Sequence, residues 1–154
     1  MRWAGASMLR RALLAALLVS TVALAAACGS DSPTPAPPIT ASVLIESAAD
    51  DPHWVRDLSV PKGTDGYELL VAATDGEIES EWFPEFRAHF VQSILGIAPE
   101  GNAFWGVFVW NEGTEGWEPL PVGADLFSVK QDHVMGWALV EFDPDNPQLP
   151  VSTP

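Results

Sequence analysis

The chain has 154 residues, room for one domain of ordinary size, and carries 21 acidic against seven basic residues. Three of the seven cations lie in the first 27 residues; the remainder sets Arg56, Lys62, Arg87 and Lys130 against all 21 acids, a net charge of −17. Such a surface repels polyanions, which excludes a nucleic-acid role, and a single cysteine, Cys28, excludes an internal disulfide.

The N-terminus has the layout of an export signal, assigned to residues 1–27. Arg2, Arg10 and Arg11 form a positive start, and Ala12 to Ala27 is a 16-residue run rich in Ala and Leu, short of the roughly 20 residues a membrane span needs. Cys28 follows three alanines and precedes Gly29-Ser30, which resembles the lipobox of bacterial lipoproteins. That resemblance implies lipidation of the Cys28 thiol, a membrane anchor and an extracytoplasmic location; the usual Leu three residues before the cysteine is replaced here by Ala25. A plain Ala-x-Ala cleavage site is the other reading. Residues 28–40, with Ser30-Asp-Ser-Pro-Thr-Pro-Ala-Pro-Pro38, read as an extended Pro/Ser/Thr tether. Residues 143–154, with four prolines in twelve, read as a disordered tail, leaving one domain at 41–142.

Within that domain, Ser42 to Glu46 and Trp54 to Val60 have the composition of strands. Asp65 followed by Glu68 forms a capping box, and Tyr67, Leu70, Val71 and Thr74 then recur at helical spacing until Gly76. Glu77, Glu79 and Glu81 alternate, as on a solvated strand edge. Phe90 to Ile97, the turn cluster Ala98-Pro-Glu-Gly-Asn102 and Phe104 to Asn111 predict an antiparallel hairpin. After the loop Asn111-Glu-Gly-Thr-Glu-Gly116, a short strand at Leu126 to Lys130, a turn at Gln131-Asp132 and a last strand at His133 to Phe142 complete the chain. Strands outnumber helices, so the expected class is α+β: an antiparallel sheet with one main helix.

The stretch Phe104-Trp-Gly-Val-Phe-Val-Trp110 holds four aromatic rings in seven residues. Alternation puts Phe104, Gly106, Phe108 and Trp110 on one side of a strand and Trp105, Val107 and Val109 on the other, so both faces are apolar and the strand should be covered on both. Two uses stay open: core packing, or a flat apolar platform for a ligand. Gly106 leaves a gap that suits either a groove or a close approach of another element.

Other chemistry is sparse. His53, His89 and His133 lie far apart, without the HxH or HxxxH spacing of a metal site. Asp143-Pro-Asp-Asn146 starts like a calcium loop, but prolines interrupt it and no distal glutamate follows. No Ser/His/Asp order and no phosphate-cradling glycine loop is present, so no catalytic residue is assigned and the expectation is a non-enzyme.

The ordered set "VPKGTDGYELL" (Val60 to Leu70), "VQSILGI" (Val91 to Ile97), "FWGVFVWN" (Phe104 to Asn111), "GAD" (Gly123 to Asp125) and "VKQDHVMGW" (Val129 to Trp137) resembles the transcobalamin C-terminal-like domain, a module of cobalamin carriers and bacterial surface lipoproteins. The resemblance implies that fold, with cobalamin or another large planar ligand facing Phe104, Trp105, Gly123, Ala124, Asp125 and Phe127. In the carriers a helical domain closes the clamp. None is found here, so a helical partner protein would have to supply it. Asp132-His133 also stands where the family has Gly-Asp. The alternative is a surface protein–protein interaction or adhesion module without a small-molecule ligand.

Overall fold

The computed structural model describes residues 36–47, 51–141, 143 and 148–154. The expected signal peptide, Cys28 and most of the tether lie outside these residues.

Among the described residues, seven strands, one helix and a single 3₁₀ turn make up the domain. Strands β1 (Ile39–Glu46) and β2 (Pro52–Val60) lead into α1 (Gly66–Ala73), then β3 (Ile78–Phe83), β4 (Ala88–Ile94), β5 (Ala103–Asn111) and β6 (Gly116–Pro119). The 3₁₀ turn at Ala124–Leu126 precedes β7 (His133–Glu141). Five strands form one sheet in the order β2-β1-β7-β5-β6, while β3 and β4 pair only with each other. The fold is therefore α+β, as expected. The large sheet is mixed rather than wholly antiparallel, because β1 runs parallel to β7. β1 begins at Ile39, so the last two residues assigned to the tether are already strand.

The expected hairpin between Phe90–Ile97 and β5 does not form. β4 pairs with β3, and β5 lies between β7 and β6. The cause is local. Leu95 and Gly96 adopt positive φ (51° and 77°), and Ile94 and Ile97 exchange backbone hydrogen bonds of 3.1 and 2.9 Å, so the chain doubles back at the end of β4. The expected strand at Leu126 to Lys130 is likewise absent. In its place the 3₁₀ turn is followed by an isolated bridge between Ser128 and Asp65, and Val129 N–H donates to Thr64 O at 3.0 Å. This segment spends its hydrogen bonds on the helix start rather than on a sheet.

The capping box is as the sequence predicts. Glu68 N–H donates to Asp65 Oδ1 at 2.8 Å, and Asp65 N–H donates to Glu68 Oε2 at 3.1 Å. The buried face differs by one position: Gly66, Leu69, Leu70 and Thr74 are sealed, with Tyr67 and Val71 on its flanks. The helix ends where Asp75 and Gly76 turn left-handed (φ 52° and 82°).

Both faces of the large sheet are apolar. One carries Ala41, Val43, Ile45, Trp105, Met135 and Trp137 beneath α1; the other carries Leu44, Phe108, Trp117, Ala138 and Val140, with Phe104 and Trp110 alongside. The gap at Gly106 is not a groove. A Cβ there would lie 2.9 Å from the Phe108 ring and 3.0 Å from Val140, so the glycine lets these two side chains close over the strand.

The end of the chain also departs from the loose tail expected. Val151 and Ser152 donate their backbone N–H groups to the two carboxylate oxygens of buried Glu46, at 2.8 and 2.9 Å, and the Trp117 indole donates to Ser152 O at 2.7 Å. The residues from Gln148 onward clasp the second apolar face.

Candidate functional site

The β3–β4 hairpin is short and twisted, with a register shift after Glu79 and a turn at Pro84 to Arg87. Its pairing sets Trp82 opposite His89, Glu81 opposite Phe90 and Phe83 opposite Ala88. One side thus carries Trp82 and His89 toward α1, and the other carries Phe83 and Phe90, joined by Phe86 from the turn.

On the first side, the His89 imidazole lies flat on Tyr67, with ring centroids 3.9 Å apart and planes 7° from parallel; Trp82 tilts against it at 5.0 Å. Tyr67 is fixed in turn by a 2.7 Å hydrogen bond between its hydroxyl and Ser80 Oγ. Asp125 reaches across from the 3₁₀ turn. Its Oδ2 accepts the backbone N–H of His89 at 2.8 Å and its Oδ1 meets His89 Nδ1 at 2.5 Å. Beside it, Gly123 approaches β4 so closely that a Cβ would lie 2.8 Å from that of Ala88.

On the second side, Phe83 meets Phe90 edge-on at 6.4 Å and Phe86 at 6.5 Å. With Ala88 and His89 they line an open cavity of about 330 Å³, at the small end of ligand-site sizes. Phe86 is 69% exposed, Phe90 51% and Trp82 47%. Val122 and Leu126, flanking the Gly-Ala-Asp turn, are exposed as well. Rings and aliphatic side chains this open to water contribute little to the core, so they are the surface most available to a ligand.

Of the six residues implied as ligand contacts, Gly123, Ala124 and Asp125 come together beside this hairpin. The other three are dispersed. Trp105 is sealed under α1, its indole donating to Ile97 O at 3.2 Å. Phe104 packs on the opposite face of the sheet with Phe108 and Val140. Phe127 stacks on His133 at 5.4 Å. Alternation along β5 makes the split unavoidable, because neighbours on a strand cannot share a face.

From the sequence, Tyr67, Trp82, Phe83, Phe86 and Phe90 were not read as site residues, and His89 was weighed only as a metal ligand. A signal was there: Trp82-Phe-Pro-Glu-Phe-Arg-Ala-His-Phe90 packs four aromatic rings and an imidazole into nine residues. The partnership of His89 with Asp125, 36 residues apart, had no local signature.

Two titrations are displaced nearby. Asp65 is raised above the ordinary carboxylate value, first by burial and then by the charges of Glu68 and Asp125, against lowering hydrogen bonds from backbone amides. His133 is lowered, first by burial and then by Lys130. Among the described residues, no three His, Cys, Asp or Glu side chains converge as metal ligands would.

No family model matches the sequence, and no curated sequence matches it. Solved structures do match in fold. Haptocorrin in complex with Cbi superimposes with a TM-score of 0.56 at 12% identity, over 68% of this chain and 25% of haptocorrin. A candidate metal-binding protein from Ruminococcus gnavus ATCC 29149 superimposes with a TM-score of 0.53 at 13% identity, over 68% of this chain and 99% of that one. The chain thus accounts for about a quarter of haptocorrin's length, and at these identities the likeness is one of fold. The domain has the fold of the haptocorrin C-terminal domain, a transcobalamin-like fold.

Proposed function

We propose that this protein is a non-catalytic binding module that takes a flat, largely apolar small molecule against the β3–β4 hairpin. The observation that carries this reading is the open ring cluster Phe83, Phe86 and Phe90, lying beside the turn of Gly123, Ala124 and Asp125. Exposed aromatic faces bind planar ligands by dispersion and apolar burial, and nearby backbone groups fix orientation. The fold likeness to haptocorrin, solved with Cbi, makes a corrinoid such as cobalamin the first ligand to try. The cavity is open on one side, so a partner protein, in the family resemblance a helical one, would cover the ligand's other face. At Cys28 a lipid anchor would hold the domain outside the cytoplasmic membrane, a reading that rests on the Ala-Ala-Ala-Cys sequence. Its test is acyl labelling of the cell-made protein, lost in C28A.

Titration of the tryptophan fluorescence with dicyanocobinamide tests the ligand reading. Saturable quenching in the micromolar range, weakened about tenfold or more in the double variant F86A/F90A, is expected. A flat response up to millimolar ligand would overturn it and leave the second reading, a protein-docking hairpin. That second reading is favoured by Phe86, which projects from the turn as the most exposed ring among the described residues.

A further inference from the structure

We infer that the second apolar face of the large sheet holds a peptide site for a proline followed by a bend, filled here by the chain's own tail and open to the same kind of segment on a partner protein. This site lies apart from the β3–β4 hairpin and does not depend on a small molecule binding there.

The domain grips its tail by one ring and by backbone. Pro150 is buried, whereas its neighbours Leu149 and Val151 are 45% and 66% exposed. The proline lies in a slot that Gly136 leaves open: a Cβ on this glycine would come within 3.4 Å of Pro150 Cγ and 3.0 Å of the Trp117 ring. Trp117 is itself set by Trp110, edge-on at 5.3 Å. An aromatic slot for a proline is a recurring way of holding proline-bearing peptides. At Val151 the chain bends, and two successive N–H groups, those of Val151 and Ser152, meet one carboxylate at Glu46. Successive amides turned to one side by a bend form a natural anion contact. Ser152 is thus held twice, its N–H by Glu46 and its carbonyl by the Trp117 indole. None of these contacts reads the side chain of Leu149 or Val151.

Glu46 gives the site its demand for an occupant. Water or a second segment must supply its donors when the tail leaves, and a segment with two aligned N–H groups does so while also covering the apolar face. The resident tail is not the best such segment. An open cavity of about 320 Å³ remains beside it, lined by Glu46, Ala138 and Val140 from the sheet and by Leu149 and Val151 from the tail. The tail of a second copy would leave the same space. A partner's segment with a larger apolar side chain in the place of Leu149 would fill it and gain burial that the tail lacks, which favours a different protein as the occupant.

The test uses the full chain carrying V151P/S152P, which removes both N–H donors and frees the site, with a fluorescent peptide of the sequence Gln148 to Pro154 as probe. Saturable binding to this released chain is expected, and the wild type should bind about tenfold or more weakly because its own tail competes at high effective concentration. A peptide carrying L149F should bind several-fold tighter. Adding E46Q to the released chain should weaken binding about tenfold. No binding to the released chain up to millimolar peptide overturns the inference, as does binding that E46Q leaves unchanged. Concentration-dependent dimers of the wild type, lost in V151P/S152P, would assign the site to a second copy and overturn the partner protein. Should the released chain fail to fold, the wild type still decides the matter: excess L149F peptide should shift the indole N–H resonance of Trp117, and a resonance unmoved at millimolar peptide overturns the inference.

Discussion

The large sheet and the β3–β4 hairpin are built from similar residues and use them in opposite ways. In the sheet, Trp105, Phe108, Trp117 and Trp137 are all buried, and β7 is flanked on both sides by other strands. In the hairpin, Trp82, Phe86 and Phe90 are about half exposed or more, and neither strand has a second neighbour. An aromatic residue stabilises a fold only where other atoms replace the water around it. A two-stranded ribbon that meets α1 at Tyr67 and has no further strand beside it leaves these rings without that replacement. The difference teaches that ring density along the chain does not locate a site; the number of layers over each ring does.

The sharpest way to break the comparison is to remove one ring from each region. W105A should cost about 3–5 kcal/mol in denaturant unfolding, since it empties a sealed site and removes the indole hydrogen bond to Ile97 O. A loss below about 1 kcal/mol would mean that the rings of β5 are not the core. Next in size is E46Q, which weakens the clasp on Val151 and Ser152; about 1.5–3 kcal/mol is expected, because hydrogen bonds to a charged acceptor are the strong ones. Trp117 fluorescence should report the same loss, since its indole donates to Ser152.

A smaller effect comes from pH. Burial, then Lys130, keeps His133 below its ordinary value of 6.5, so the unfolded chain takes up that proton first as pH falls. The stabilisation from neutral His133 is therefore complete above about pH 6.5 and declines as pH drops through it toward the lowered folded value. Subtracting the stability curve of H133Q from that of the wild type should isolate a slope of this sign; a slope of the opposite sign would refute the assignment. Smallest of all, F86A should change stability by no more than about 0.5 kcal/mol, the usual result for an exposed residue without partners in the core. Should F86A instead unfold the hairpin, the contrast between the two regions would disappear.

Much of the fold was legible because its signals are local. Asp65 and Glu68 announce the helix start within four residues, and the two-sided apolar pattern of β5 announces a covered strand. Strand pairing was not legible. Nothing in Phe90–Ile97 says that β4 turns back at Leu95-Gly96 instead of pairing with β5, since the deciding hydrogen bonds run from Leu95 to Glu77 and between Ile94 and Ile97. Of the candidate ligand contacts, Gly123, Ala124 and Asp125 were named from a resemblance, as were Phe104 and Trp105, whose side chains lie on opposite faces of β5. His89 escaped because its partner lies 36 residues along the chain and only the folded loop brings it near.

The clasp at Glu46 has a mechanical consequence. β1 is entered at Ile39 from whatever precedes it and is gripped at Glu46, its other end, by the last residues of the chain. A tug arriving through residue 38 would run lengthwise along β1, across the bonds that join it to β2 and to β7. Bonds crossed in this way resist together instead of unzipping one at a time, so a domain held by its front end would meet flow or traction with a strand paired along both edges.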